Sequence, residues 1–518
     1  MQESVKKIQN EISPDCDGLP AYFRGRQEQA MYTDTGIWRY RGNPLIEALG
    51  NVLTEKEAGK RLAFYPPYNE NERKLPLEVR VHLSHTLLDV FVSLPAHIDL
   101  EQRLSCLLRS GYVPRNPLAQ DYWRKIRTEA NDWNRMPVRA NPMCSTATGF
   151  NIIGISGGGK TKGVQKVLDL TSQVIFHNTH NKRPFTFCQI VWLLMSCPHD
   201  GSTRGLCLDF FRIIDDLVGT NHYERFGKGR RTTDEMLPGM ARVAAIHGLG
   251  ALVIDEIQFL SESSSGGRVR MLNFFCDLTN RINLPVIFVG TYKALAMLKA
   301  EFRQIRRGLG EGEKRWERLA DAKTWRFFLK SIWRYQYTRQ ATPLTDELCE
   351  LFFDLTQGIP DLCVKLYMLS QIRAIRAGVE AITPGVVRSV AGDCFGSAER
   401  VLDALRRNDT VVLELISDVH PVDIDTCLRA LDKAADSASL IMPTQAVKSK
   451  RRAVAGSCEP RPAAATNPNG QSQVGTVSTD AARDNITATE GDKAGYHRLK
   501  SKGHIRSGTE FLDIKEAA

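Results

Sequence analysis

The sequence has no Cys-x-x-Cys pair among its twelve cysteines and no His-Glu-x-x-His among its eleven histidines. The common zinc centres need such spacing, so scattered thiols here are expected to be reduced and mostly buried rather than metal-bound or cross-linked. No apolar stretch is long enough to span a bilayer. No apolar signal core follows Met1-Gln2-Glu3-Ser4-Val5-Lys6-Lys7. A cytoplasmic protein without a membrane partner is expected. No Phe, Trp or Tyr occurs between Gly396 and Gly495. Such a stretch cannot bury enough surface to offset its ordering entropy, which predicts disorder beyond about residue 434. There are no internal repeats.

What is present is more informative. The run Gly154-Ile155-Ser156-Gly157-Gly158-Gly159-Lys160-Thr161 fits G-x-x-x-x-G-K-[ST] in full, after a strand-like Phe150-Asn151-Ile152-Ile153 and before a helix-compatible Lys162 to Leu170. Its glycines let backbone N–H groups wrap a polyphosphate, and the following helix aims its positive end at the same charge. The expected nucleotide contacts are Gly154, Ser156, Gly157, Gly158, Gly159, Lys160, Thr161 and Lys162. Lys160 would reach the β- and γ-phosphates of ATP, and Thr161 would ligate Mg²⁺. The second motif, Leu252-Val253-Ile254-Asp255-Glu256, reads as a buried strand ending in two acids, where open α/β sheets bind ligands. Asp255 would hold the Mg²⁺ shell. Glu256 would deprotonate the attacking water. Together and in this order the motifs indicate a nucleotide-hydrolysing P-loop ATPase.

The chain's 518 residues allow two to four domains, and its formal charge is +10. The charge is uneven. Ten Lys/Arg face four acids between Arg303 and Arg334, and eleven face five between Lys448 and Arg506. A denser cluster, Arg225 to Arg231, lies in the unusually long interval between the two motifs. Its glycines suggest a flexible loop, in which Arg225, Lys228, Arg230 and Arg231 could neutralise duplex phosphates without reading bases, or could simply be solvated.

The expected organisation is a flexible leader over 1–20, a mixed α/β extension over 21–140 and a P-loop core over 141–340. A helical lid over 341–433 and a basic, largely disordered tail over 434–518 follow. In the extension, Leu77 to Phe91 shows β-like alternation, and Asp99 to Arg109 has helical spacing with Leu100, Leu104, Leu107 and Leu108 on one face. Strand candidates at 150–154, 173–177, 190–196, 250–255 and 286–290 alternate with helical patterns. This argues for an α/β fold with a parallel sheet flanked by helices. Thr291 ends the 286–290 strand. In AAA+ ATPases a polar residue there is the first sensor, reading the γ-phosphate or water; otherwise it is a turn residue. Phe302-Arg303-Gln304-Ile305-Arg306-Arg307-Gly308 offers Arg306 or Arg307 as an arginine finger from a neighbouring subunit. In the lid, Asp361 stands where related ATPases carry arginine, leaving Lys365 as the basic candidate near the γ-phosphate.

These residues, together with several longer strings, resemble the TnsC family, AAA+ regulators of Tns-type cut-and-paste DNA transposons. The resemblance covers roughly residues 30–400. It rests on Tyr32-Thr33-Asp34-Thr35-Gly36, Tyr40 to Leu49, and Gly111-Tyr112-Val113-Pro114-Arg115-Asn116-Pro117. It rests also on Ile254 to Leu260 with Ser265-Gly266-Gly267, Met271-Leu272-Asn273-Phe274-Phe275, Gly290-Thr291 and Arg306-Arg307-Gly308. The resemblance implies an ATP-switched matchmaker that assembles as a ring or filament on target DNA. It would link a target-selector protein to transposase subunits and be dismantled by hydrolysis. It also implies that Tyr112, Val113 and Asn116 contact the base or ribose. The tail matches nothing in that family. A replication-initiator or helicase-loader ATPase is the alternative class, and an NTPase switch without DNA a further one. No spaced acids suited to nuclease or strand-transfer chemistry lie outside the ATPase motifs, so cutting and joining are not assigned to this chain.

Overall fold

Four of the five apolar runs form one sheet because their side chains are apolar on both faces. The computed structural model describes residues 23–120, 122–124, 149–262, 265–294 and 313–409, with 412, 424 and 427. In it β2 (Phe150–Gly154), β6 (Ala251–Asp255) and β7 (Val286–Gly290) are buried along their whole length, and β5 (Trp192–Ser196) along all but its last residue. With β8 (Glu313–Trp316) they make a five-stranded sheet in the order β5-β6-β7-β2-β8, and every pairing is parallel. Such a sheet needs helices on both faces, and the period-2 alternation of the strands shows which residue serves which face.

Ile153, Leu193, Met195, Leu252, Ile254 and Phe288 pack with α5 (Thr203–Val218), α6 (Thr233–Ile246) and α7 (Ser265–Ile282). Their neighbours Ile152, Leu194, Val253, Ile287 and Val289 face the other way, onto α3 (Pro95–Tyr112) and α4 (Lys160–Leu168). The leucine stripe Leu100, Leu104, Leu107 and Leu108 is the face of α3 that is buried there. Each such leucine contributes roughly 1.5–3 kcal/mol by leaving water.

The lid consists of α8 (Ala322–Trp333), α9 (Asp346–Thr356), α10 (Pro360–Arg376), α11 (Pro384–Cys394) and α12 (Glu399–Arg406). Its core continues into Leu87, Val90, Val92 and Leu94 and into Ile155 of the glycine-rich loop. The lid, the segment before α3 and the phosphate loop therefore share one apolar cluster.

Two sequence expectations fail. The alternation over Leu77 to Phe91 is helical, with α2 (Leu77–Ser84) followed by a 3-10 turn His85–Leu88; α1 (Glu55–Leu62) precedes it. The reason is that Arg80, not Val79, goes inward. Arg80 is 1% exposed and forks onto Glu380 with two 2.7 Å bonds, whereas Val79 is 42% exposed. The strand expected at 173–177 exists but does not join the parallel sheet. It is β3 (Val174–His180), antiparallel to β4 (Arg183–Ile190) and parallel to β1 (Gln27–Gln29) in a separate three-stranded sheet. The arginines at 303, 306 and 307 and the tail from 434 lie outside the described residues, as does the whole of the second unit of the chain, Gln445–Ala518.

Candidate nucleotide site

The glycine-rich loop leaves β2 and enters α4 through two positions that only glycine adopts without strain. Gly157 has φ 75° and Gly159, the residue before the helix, φ 86°. Trp316 at the end of β8 donates its indole N–H to Gly158 O at 2.8 Å, and the lid's Asp361 N–H meets Gly157 O at 3.2 Å. The loop is thus braced from both flanks. Lys160 is buried and folded back, its Nζ donating to Gly154 O at 2.9 Å and Ile155 O at 2.8 Å. A terminal phosphate offers stronger acceptors than these two carbonyls.

The strand order sets the rest of the site. β7 lies between β2 and β6, so three neighbouring carboxyl ends present the phosphate loop, then Thr291, then Asp255 and Glu256. Asp255 is 4% exposed. Burial raises its carboxyl above the usual range, opposed by the Thr161 hydroxyl bonded to it, the Glu256 N–H at 2.8 Å and the charge of Lys160. A desolvated carboxylate beside a hydroxyl is an oxygen donor pair for a hard cation. Mg²⁺ takes one or two protein oxygens and completes its shell with phosphate and water, so the pair fits that ion. Among the described residues no cluster of three or more His, Cys, Asp or Glu could hold a metal alone.

Glu256 has φ 53°, a left-handed conformation uncommon outside glycine and concentrated at functional sites. Its carboxylate accepts a short hydrogen bond from Gln258 Nε2, and Gln258 Oε1 accepts from the Thr291 N–H at 3.2 Å. Sequence reasoning singled out Glu256 and Thr291 but gave Gln258 no role. The spacing Asp255-Glu256-Ile257-Gln258 was its only signal.

Other expected contacts are placed differently. Tyr112 is fully buried at the end of α3, with its hydroxyl donating to Gly248 O at 2.7 Å. Gly248 precedes β6, so Tyr112 and the adjoining Val113 lie at the amino ends of the strands, opposite the phosphate loop. Asn116 donates to Gly42 O at 2.9 Å in the same region. The geometry does not bring these three to the nucleotide. The helical run to Tyr112 carries them about 25 Å from the start of α3. Lys162 donates its ammonium to Leu88 O at 2.7 Å, tying α4 to the segment before α3. Lys365 is buried and paired with Asp361 at 2.8 Å, one turn from the residue that touches Gly157. It is therefore at the lid's contact with the loop.

The basic cluster is less free than its glycines suggest. Tyr223–Gly227 is a π-helical turn, so Arg225 sits on helix, its guanidinium 5.2 Å from the Phe226 ring centre. Lys228 pairs with Glu224 at 2.7 Å. Arg204 at the start of α5 donates to Gly229 O at 2.9 Å and Arg231 O at 3.2 Å. These bonds hold Arg230 and Arg231, both exposed, at the sheet end that carries the phosphate loop.

Residues 145–298 match the family model described as an AAA domain. No curated protein matches the chain. Among solved structures, the ORC1 protein of Aeropyrum pernix in complex with DNA is similar at 14% identity over 62% of this chain and 97% of that one, with a TM-score of 0.35. A Walker-type ATPase of Pyrococcus abyssi is similar at 17% identity over 62% and 91%, TM-score 0.32. The ORC2 protein of Aeropyrum pernix gives 12% identity over 62% and 96%, TM-score 0.33. Likeness this distant bears on neither ligand nor partner. The AAA match falls on the segment that carries the braced phosphate loop, the buried Asp255 and the strand order just described, and the chain is accordingly an ATPase built on an AAA-type P-loop domain.

Proposed function

We propose that this ATPase is an ATP-switched, DNA-bound regulator of DNA transposition, linking a target-selector protein to transposase subunits. The observation that carries the reading is the set of strings that resemble the TnsC family, Asp255-Glu256-Ile257-Gln258 and Met271 to Phe275 above all, on a domain that brings the phosphate loop, Thr291, Asp255 and Glu256 to neighbouring strand ends. Bound ATP·Mg²⁺ would supply the labile γ-phosphoryl bond and the cation that gathers its charge. Lys160 leaves the carbonyls of Gly154 and Ile155 to meet the terminal phosphates. Thr161 and Asp255 would hold the cation. Glu256 takes the proton of the attacking water, and Thr291, between them, reads the γ-phosphate.

Arg306 or Arg307, supplied by a neighbouring subunit, would meet that phosphate, which would couple ATP occupancy to assembly. Arg225, Lys228, Arg230 and Arg231 follow the duplex backbone without base readout. Lys365 moves with the lid and reports the nucleotide state to α10. Electron microscopy of the purified chain with duplex DNA and a non-hydrolysable ATP analogue tests this. Rings or filaments enclosing duplex are expected. Monomers indifferent to both nucleotide and duplex would contradict it and favour an NTPase switch that works without DNA.

A further inference from the structure

Gln258 occupies a position that the backbone has been shaped to receive. Its side chain is 2% exposed, wedged between the carboxyl ends of β6 and β7. Each end of its amide is committed, Nε2 to the Glu256 carboxylate and Oε1 to the Thr291 N–H. The chain accommodates it at a cost in two places. Glu256 is held in a left-handed conformation. The residue before Thr291 is Gly290, where a Cβ would approach Gln258 Oε1 to 2.9 Å and Ile257 Cγ2 to 2.8 Å. A side chain at 290 would evict the amide. A core that needed only packing would place an apolar residue here; a buried amide with both ends satisfied specifies geometry.

We infer that Gln258 is a positioning residue that makes the base and the sensor one hydrogen-bonded unit. Through it, a displacement of the Thr291 backbone on contact with the γ-phosphate is passed to the Glu256 carboxylate. This rests on Glu256 acting as the base. The donated N–H fixes the orientation of the Glu256 carboxylate. The carbonyl end fixes the amide against rotation, because a flipped amide would set its oxygen against the carboxylate. In this arrangement Gln258 acts through Glu256.

Two substitutions separate this from a packing role. Gln258→Met keeps length and shape but removes both hydrogen bonds. It should lower kcat about 10- to 100-fold, the cost of a reacting group misplaced by about 1 Å, with ATP affinity and KM within about twofold of wild type. Gly290→Ala leaves Gln258 unchanged but sets a Cβ 2.9 Å from its Oε1. It should lower kcat in the same way, and the double variant should be no slower than Gln258→Met alone, because both act through one amide. Steady-state ATP turnover of the full-length chain, with nucleotide binding measured in parallel, reads both. Wild-type or faster turnover in Gln258→Met, or effects of the two substitutions that multiply in the double variant, overturns the inference. Undiminished turnover in Glu256→Gln would instead overturn the base assignment beneath it.

Discussion

Lys160 is desolvated before any nucleotide is bound, its ammonium held by two carbonyls of its own loop. Replacing it with alanine removes the only side-chain charge that the loop offers the terminal phosphates. Lys160→Ala should weaken ATP binding at least about tenfold, the loss of one charged hydrogen bond, as read by calorimetric titration. ATP-dependent assembly that survives the substitution would contradict the assignment. At this scale the sequence was legible where chemistry forces adjacency. Gly157 to Thr161 and Asp255-Glu256 are contiguous because a phosphate cradle and a strand tip are contiguous. Gln258 and Trp316 were not legible, because the Thr291 N–H and the Gly158 carbonyl that they meet are 33 and 158 positions away in sequence. Tyr112 was misread for the same reason. A tyrosine near glycine and proline reads as a loop contact, yet its hydroxyl satisfies a carbonyl at the far end of the sheet.

Among the elements, the apolar runs β2, β5, β6 and β7 announced themselves, being buried on both faces. β8 did not. Glu313-Lys314-Arg315-Trp316 is a charged edge strand, with Lys314 paired to Asp99 on α3 and Trp316 turned in against the loop. α2 was concealed by Arg80. Arg80→Ala removes both guanidinium bonds to the Glu380 carboxylate, which keeps the Arg339 N–H, and frees the carbonyls of Leu75 and Tyr337, so it should cost about 3 kcal/mol in denaturant unfolding near neutral pH. The hydrogen bonds from Arg80 lower the Glu380 pKa, so the pair's contribution is present above the carboxyl's unfolded value. It is lost as pH falls through the lower folded value. The penalty should therefore shrink in acid; a penalty independent of pH would indicate that Arg80 stabilises by packing alone.

The segment between α5 and α6 is the element on which duplex contact is proposed. Reversing the charges of Lys228, Arg230 and Arg231 should weaken binding to unrelated duplexes about equally. It should also lower the slope of log affinity against log salt by up to about 2.7, near 0.9 for each phosphate that is no longer neutralised. Lys228 is shared with Glu224, so its part of that change is the smallest. An unchanged slope would move duplex binding to the basic stretch from Arg303 to Arg334. Its described part presents Lys323, Arg326, Lys330 and Arg334 along the exposed side of α8.

For the whole molecule, the consequence of this architecture is that nucleotide state is felt by several elements at once. The phosphate loop is bonded to Trp316 on one flank and to the lid through Asp361 on the other, and Ile155 lies in the lid's own core. On the proposed function, a γ-phosphate that draws Lys160 off its carbonyls would act on α4, β8 and α10 together. Which of Arg306 and Arg307 is the finger was not legible in the sequence, and both lie outside the described residues.

The proposed switch stands on hydrolysis, rather than binding, ending the assembly on DNA. Glu256→Gln retains Lys160, Thr161 and Asp255 and so retains ATP, but removes the group that takes the water's proton. The decisive measurement is the lifetime of the ATP-bound assembly on labelled duplex for wild type and Glu256→Gln after dilution into competitor DNA. Wild type should dissociate at a rate tracking its turnover while Glu256→Gln persists. Equal dissociation rates for the two proteins in ATP would contradict the switch.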